Sequence, residues 1–145
     1  MGSLSLFTKT PLYSTFTDFI TCGIIGWCME ILFTAFHAFR KREMSLTGHT
    51  SLWMFPIYGS IAFLKPLFVL TQNASLFLRG TCYALLIFVG EFISGTYLCS
   101  KKQCPWDYSK SKWNINGVIR LDYFPYWFLA GLFYERLLTQ KAIRQ

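Results

Sequence analysis

Four long apolar stretches, separated by short polar segments, restrict this chain more than any other feature of its sequence. They cover about residues 18–39, 51–70, 76–98 and 122–138. A helix needs about 20 predominantly apolar residues to cross the hydrocarbon core of a bilayer. The pattern therefore predicts an all-α integral membrane protein in which four transmembrane helices form one compact bundle. We expect a single membrane domain over residues 1–145, with a structured loop between helices 3 and 4.

The charge content agrees with a membrane location. Only 14% of the residues are charged, whereas a soluble domain typically has about 25%. A formal net charge of +7 is also typical of nucleic-acid-binding proteins, but here the Lys and Arg residues flank the apolar stretches, where membrane proteins carry them. We therefore expect the lipid bilayer, and no nucleic acid, as the partner of these charges.

The positions of Lys and Arg favour a non-cytoplasmic N-terminus. In that orientation the cytoplasmic side carries the larger basic set, namely Arg40, Lys41, Arg42, Lys101, Lys102, Lys110, Lys112 and Arg120. The opposite orientation would place only Lys9, Arg79, Arg136, Lys141 and Arg144 on that side. Cytoplasmic segments of membrane proteins carry the excess of positive charge.

Two carboxylates inside the predicted spans are the leading candidates for a functional site. Glu30 lies about nine residues before the end of the first span, and Glu91 about eight before the end of the third. Spans joined by short loops alternate in direction, so both residues are predicted about 12 Å below the same surface. An ionised group at that depth costs several kcal/mol unless it is paired or hydrated. The pattern therefore predicts a shared proton or cation site. The alternative is a structural pair, such as Glu91 with Lys65.

Two further residues are placed near this layer by the same reasoning. Tyr58 lies in Pro56-Ile57-Tyr58-Gly59, which is predicted to interrupt the second span early and to line a cavity. It is assigned to substrate binding, and an ordinary proline kink is the alternative. Glu135 lies deeper in the fourth span, and we interpret it as a structural partner of the adjacent Arg136.

The segment Cys104–Ser109 is predicted to cap the carboxylates from the loop before the fourth span. Asp107 joins Glu30 and Glu91 as a third catalytic candidate, and Trp106, Tyr108 and Asn116 are candidate substrate-binding residues. Asp107 and Asn116 are equally typical of turns, and Trp106 is typical of the membrane interface. Cys99 and Cys104, which flank Lys101-Lys102, could form a disulfide or bind a metal, but no His lies near them and the spacing of the five cysteines fits no zinc pattern. Free thiols and no metal site are therefore expected.

These motifs resemble those of the CmpB-like membrane family, called ABC transporter type IV, and of the transmembrane protein 229 family. The matching stretches are Gly26–Glu30, Thr50–Trp53, Pro56–Gly59, Gly90–Phe92 with Gly95, Cys104–Ser109, Asn116-Gly117 and Trp127-Phe128. The resemblance implies four spans and supports roles for Glu30, Glu91 and Asp107, but it implies no defined activity. The sequence has no Walker A motif, so any use of ATP would require a separate ATPase subunit.

Three functions are compatible with the sequence. A transporter or permease could move a polar or amphipathic solute by using the buried carboxylates; four helices enclose little volume, so a homodimer is expected. Alternatively, a membrane-embedded enzyme could act on a lipid or isoprenoid headgroup, with Glu30 and Glu91 as acid and base. A structural or assembly partner in a membrane complex is the third hypothesis. The residues do not identify a cofactor, and they leave open whether the protein is an enzyme.

Overall fold

A computed structural model of the protein describes residues 11–143. The chain divides into two compact units, Met1–Leu64 and Lys65–Gln145. Most described residues are helical, and a two-stranded sheet is the only β-structure among them. The all-α prediction is therefore confirmed. Among the described residues, the first unit contains one long helix and the second contains two.

The first unit begins with helix α1, Pro11–Arg40. Proline is favoured at the first helical position because it has no N–H to leave unpaired there. The helix ends in a Schellman motif: Arg42 has a positive φ of 62°, its N–H donates to the Phe39 carbonyl, and the Glu43 N–H donates to the Ala38 carbonyl. This motif satisfies carbonyls that a helix end would otherwise leave unpaired.

The rest of the first unit packs against α1. Helix α2 covers Met54–Gly59 and continues into a 3₁₀-helix, Ser60–Leu64. Gly23 and Gly26 of α1 lie directly against the rings of Phe55 and Tyr58, which occupy the space that a Cβ would need. The absence of a side chain at these two positions therefore lets α2 approach α1 closely.

The predicted interruption at Pro56–Gly59 is wrong in its position. Pro56 is the third residue of α2, and proline is tolerated in the first turn of a helix because the N–H groups there have no helical partner. The irregularity comes after this segment, in the 3₁₀-helix Ser60–Leu64. Pro66 likewise lies in the first turn of the next helix.

The second unit begins with helix α3, Lys65–Thr71, and continues with α4, Leu76–Ser100. Ser75 caps α4, because its Oγ accepts the Leu78 N–H at 3.3 Å. The N-cap residue typically accepts a hydrogen bond in this way. At its other end α4 also finishes in a Schellman motif, with Lys102 at a positive φ of 56°.

The loop after α4 contains the predicted local structure. Strands β1, Asn114–Ile115, and β2, Ile119–Arg120, pair in antiparallel register, with Asn114 opposite Arg120. Residues 116–118 connect them. Asn116 and Gly117 have positive φ angles of 53° and 70°, and the Val118 N–H donates to the Ile115 carbonyl at 3.1 Å. Positive φ at both central residues is what a type I′ turn requires, and Asn-Gly is its preferred sequence.

A 3₁₀-turn, Leu121–Tyr123, then leads into the last helix, α5, Phe124–Ile143. Helix α5 packs on α4 through two glycines. Gly80 lies against the Phe128 ring, and a Cβ at Gly131 would be 2.5 Å from the Cβ of Tyr83. Near the loop, Phe88, Val118 and Ile119 form a buried apolar cluster.

Three helical stretches are long and apolar enough to cross a membrane: Ser14–Arg40, Met54–Thr71 and Leu76–Ser100. Their outward side chains are apolar; Leu32 is 70% exposed and Ile93 is 64% exposed. Such extended apolar surface is unusual on a soluble monomer and typical of a lipid-facing helix. Helix α5 is not among these stretches, so three of the four predicted spans are supported.

Candidate functional site

Glu30 lies two-thirds of the way along α1 and is held by the segment that follows the helix. The Thr50 hydroxyl donates to Glu30 Oε2 at 2.6 Å. The His49 backbone exchanges hydrogen bonds with the Thr34 hydroxyl, at 2.9 Å and 3.1 Å. These bonds fasten the segment to α1 and place a hydroxyl donor on the carboxylate.

Two aromatic side chains continue this site toward the start of α1. The Trp27 indole donates to the Ser51 carbonyl at 2.9 Å, next to Thr50. Tyr58 is buried against Gly26, four residues before Glu30 and therefore on the same helix face. In the first unit, Thr50 and Tyr58 thus contact neighbouring turns of α1, at Glu30 and Gly26 respectively.

Glu91 lies in the second unit and has a different environment. Its side chain is buried in α4, and the Trp127 indole donates to Oε2 at 3.1 Å. Phe124 and Trp127, both at the start of α5, pack against the cluster of Phe88, Val118 and Ile119. Within the part of the chain that the structure describes, Glu91 forms no ion pair. Its predicted structural pairing with Lys65 is replaced by a neutral indole donor.

The loop residues Trp106 and Asp107 have clear structural roles. The Trp106 indole donates to the Val118 carbonyl at 3.0 Å, and its ring lies against Gly95, one helical turn from Glu91. The Asp107 carboxylate accepts the Ser109 N–H at 2.9 Å. Hydrogen bonding from Ser109, and more weakly the Lys110 charge, hold the pKa of Asp107 below its usual range. Asp107 therefore stays ionised at neutral pH as an Asx-turn residue.

Tyr108 and Asn116 are also part of the turn architecture. The Tyr108 N–H donates to the Gly117 carbonyl at 2.8 Å, and Asn116 occupies the left-handed turn position. Asn114 organises the loop from inside: its Oδ1 accepts the Gly117 N–H at 3.0 Å, and its Nδ2 donates to the Ser111 carbonyl. The turn interpretation of Asp107 and Asn116 is thus supported.

An open groove of about 580 Å³ runs along this loop. It is lined by Cys99, Lys102, Cys104, Trp106, Asp107, Ser109, Asn114, Asn116 and Gly117. Three of the predicted site residues, Trp106, Asp107 and Asn116, therefore share one groove. The same loop covers α4 at Gly95, one helical turn from Glu91, and a cap over Glu91 itself stays a prediction. The proximity of Glu30 to Glu91 stays a prediction, because the two residues lie in different units.

A second buried carboxylate in the second unit, Glu135, has partners that the sequence did not predict. Glu135 is buried, and its Oε1 lies 3.5 Å from Nε of Arg79. It also accepts a hydrogen bond from the Tyr83 hydroxyl at 3.1 Å, which in turn lies 2.5 Å from the Thr71 hydroxyl. The predicted pairing of Glu135 with Arg136 is wrong, because adjacent residues on a helix do not face each other, and Arg136 is exposed.

The sequence did contain a signal for this second site. Arg79 and Tyr83 are spaced i and i+4 near the start of an apolar stretch, which places them on one face of α4. A cation at that position requires an acceptor, and Glu135 is the carboxylate in the facing helix. Among residues 11–143 no group of three or more His, Cys, Asp or Glu side chains could hold a metal ion.

Comparison with known proteins gives one family match over most of the chain. A family model described as Putative ABC-transporter type IV matches residues 17–144. The matched region includes Glu30, Glu91, the loop groove and the Arg79–Glu135 pair. No solved structure matches the chain.

Proposed function

The chain belongs to the family described as Putative ABC-transporter type IV, and from this premise we propose that it moves a polar or amphipathic solute across a membrane by means of its buried carboxylates. The family and the apolar helices support a multi-pass, transporter-like membrane protein. The proposal also requires a choice of the carboxylates that take part in transport. We assign that role to Glu91 and Glu30.

One observation carries this assignment. Glu91 is buried inside a membrane-spanning helix, yet the hydrogen-bond donor to its carboxylate, among the residues that the structure describes, is the neutral indole of Trp127. An intramembrane carboxylate without a cationic partner favours binding a proton, a cation or a positively charged solute group. Glu30 has a similar arrangement, with the Thr50 hydroxyl as its donor. Glu135 differs, since Arg79 already neutralises it.

Several features of the complete transporter follow as part of the proposal. Helix α5 acts as the fourth span, because Trp127 and Glu135 both pack on the membrane-spanning α4. A homodimer supplies the volume that four helices cannot enclose. The N-terminus is non-cytoplasmic, and ATP, if the transport cycle uses it, is hydrolysed by a separate subunit, since the sequence has no Walker A motif.

The test compares molecules that copurify with the protein in mild detergent. Wild type and the Glu30→Gln/Glu91→Gln variant are analysed by native mass spectrometry, and their extracts by metabolite and lipid profiling. Glu43→Gln, which changes an exposed carboxylate in the loop after α1, is the matched control. We expect a solute bound to wild type and to the control but depleted at least about tenfold in the double variant, as loss of a charged hydrogen bond predicts.

Other results would redirect or refute the proposal. A single lipid species lost from the double variant would favour the alternative of an enzyme acting on a lipid headgroup. Identical bound molecules in all three proteins would contradict a binding role for the carboxylates. Flux of the identified solute into proteoliposomes, abolished by Glu91→Gln, would then separate a transporter from a binding protein.

A further inference from the structure

Two thiols lie together where α4 ends and the loop begins. Cys99 is in the last turn of α4 and exposed, and Cys104 is half-buried in the loop. Both are free, and both line the groove beside Trp106. The sequence separates them by Ser100, Lys101, Lys102 and Gln103.

The Schellman motif at the end of α4 brings the two cysteines together. The Lys102 N–H donates to the Cys99 carbonyl at 3.0 Å, and the Gln103 N–H donates to the Leu98 carbonyl at 2.9 Å. With Lys102 in the left-handed region, the chain reverses direction immediately after the helix. The next residue, Cys104, is thereby returned to the last turn that contains Cys99. The proximity is therefore set by hydrogen-bonded backbone geometry.

We propose that Cys99 and Cys104 form a reactive dithiol site that takes an oxidant of the disulfide class, such as glutathione disulfide. The Cys104 thiolate attacks one sulfur of the oxidant, forms a mixed disulfide and releases one thiol. The Cys99 sulfur, as its thiol loses a proton, then attacks the Cys104 sulfur, and the second thiol leaves. The two cysteines lose two electrons, the oxidant gains them, and the two cysteine protons end on the released thiols.

Oxidation would change the groove, because both cysteines belong to its lining. The new disulfide links Cys104, a half-buried residue of the groove lining, to Cys99 at the end of α4. The loop is then held at both ends, since Trp106 already anchors it to Val118. The dithiol thus connects the redox state of the surroundings to the shape of the groove, and this holds whether or not the carboxylates move a solute.

The test uses peptide mapping of the full-length protein in mild detergent. The protein is equilibrated with glutathione disulfide, its remaining thiols are blocked with a maleimide, and it is digested with trypsin without reduction. Lys101 and Lys102 lie between the two cysteines, so trypsin cuts the backbone there. We expect wild type to yield the two flanking peptides joined by a disulfide, with loss of maleimide labelling at Cys99 and Cys104.

Variants identify which cysteines are joined. The peptide that contains Cys99 also contains Cys82, so Cys82→Ser is the matched control and must keep the linked pair. Cys99→Ser and Cys104→Ser must each lose it and carry glutathione on the remaining loop cysteine. The proposal is overturned if wild type gives no linked pair, if Cys82→Ser abolishes it, or if both loop cysteines of wild type carry glutathione. The wild-type result decides the matter even if a variant fails to fold.

Discussion

Glu91 and Glu135 form an instructive pair, because both are buried carboxylates at the contact between α4 and α5. Their exposed fractions are close, 9% and 6%. Their partners differ: Glu91 accepts one hydrogen bond from the Trp127 indole, whereas Glu135 faces Arg79 and the Tyr83 hydroxyl. Burial alone therefore does not distinguish their roles.

The difference lies in what each carboxylate must do to remain buried. Glu135 has a cationic partner in Arg79, and its site fastens α3, α4 and α5 through Thr71, Tyr83 and Arg79. Glu91 accepts a hydrogen bond from a neutral donor only, which is the reason for proposing that it binds a proton or another cation in the membrane. A carboxylate in a fixed ion pair is suited to a structural role, whereas a carboxylate without a cationic partner is suited to exchanging a proton or another cation.

Removing the cation from the Glu135 site gives the largest expected effect. Arg79→Met keeps the apolar stem but leaves a buried carboxylate without its cation, which destabilises a protein by about 3–5 kcal/mol. Thermal unfolding in detergent measures the loss. Arg136→Met, which changes the exposed neighbour of Glu135, is the control and should shift the free energy of unfolding by less than about 0.5 kcal/mol. Equal effects of the two substitutions would show that the pair does not stabilise the fold.

The fit of the loop against α4 near Glu91 is tested by two glycines of the same helix. A Cβ at Gly95 would lie 2.9 Å from Val118 and 3.0 Å from Trp106, so Gly95→Ala should cost about 1–3 kcal/mol through overpacking. Gly90→Ala meets no atom within 4 Å and should stabilise α4 by about 0.5–1 kcal/mol. Opposite signs in the unfolding temperature are expected. A stable Gly95→Ala protein would mean that the loop does not pack there.

Glu91→Gln separates structure from function at the Glu91 site. The amide oxygen can still accept the Trp127 hydrogen bond and no charge is buried, so we expect the free energy of unfolding to change by no more than about 1 kcal/mol. Glu135→Gln, which leaves Arg79 without its anion, should cost clearly more. If thermal unfolding shows the opposite order, Glu91 is the structural residue and the comparison between the two sites is reversed.

The smallest expected effect is a pH dependence of the loop beside Glu91. The folded pKa of Asp107 is lowered by the Ser109 N–H, so its stabilisation is present above the carboxyl's unfolded pKa of about 3.9 and is lost as the pH falls through the folded value. Amide exchange of residues 104–118, corrected for intrinsic rates, should therefore show lower protection at about pH 3 than at about pH 6. Asp107→Asn should remove this difference, and a difference that persists would assign it to another group.

The sequence determined the helical class, three of the membrane-spanning stretches and the turn at Asn116-Gly117, because each depends on local composition. Apolar length sets a span, and Asn-Gly sets a turn, without reference to distant residues. The sequence also identified Glu30 and Glu91 as carboxylates within apolar stretches, since an acidic residue in such a stretch is conspicuous by itself; the structure buries Glu91 and half-buries Glu30.

Only the tertiary structure decided which donor each carboxylate meets. The indole of Trp127 reaches Glu91 across 36 positions, and Arg79 meets Glu135 although Arg136 is its neighbour in the chain. Partner choice depends on the faces that packed helices turn toward each other, which Gly80 and Gly131 set here by admitting Phe128 and Tyr83. Sequence separation carries no such information. The tertiary structure was therefore needed to distinguish a fixed charge pair from a carboxylate with only a neutral donor.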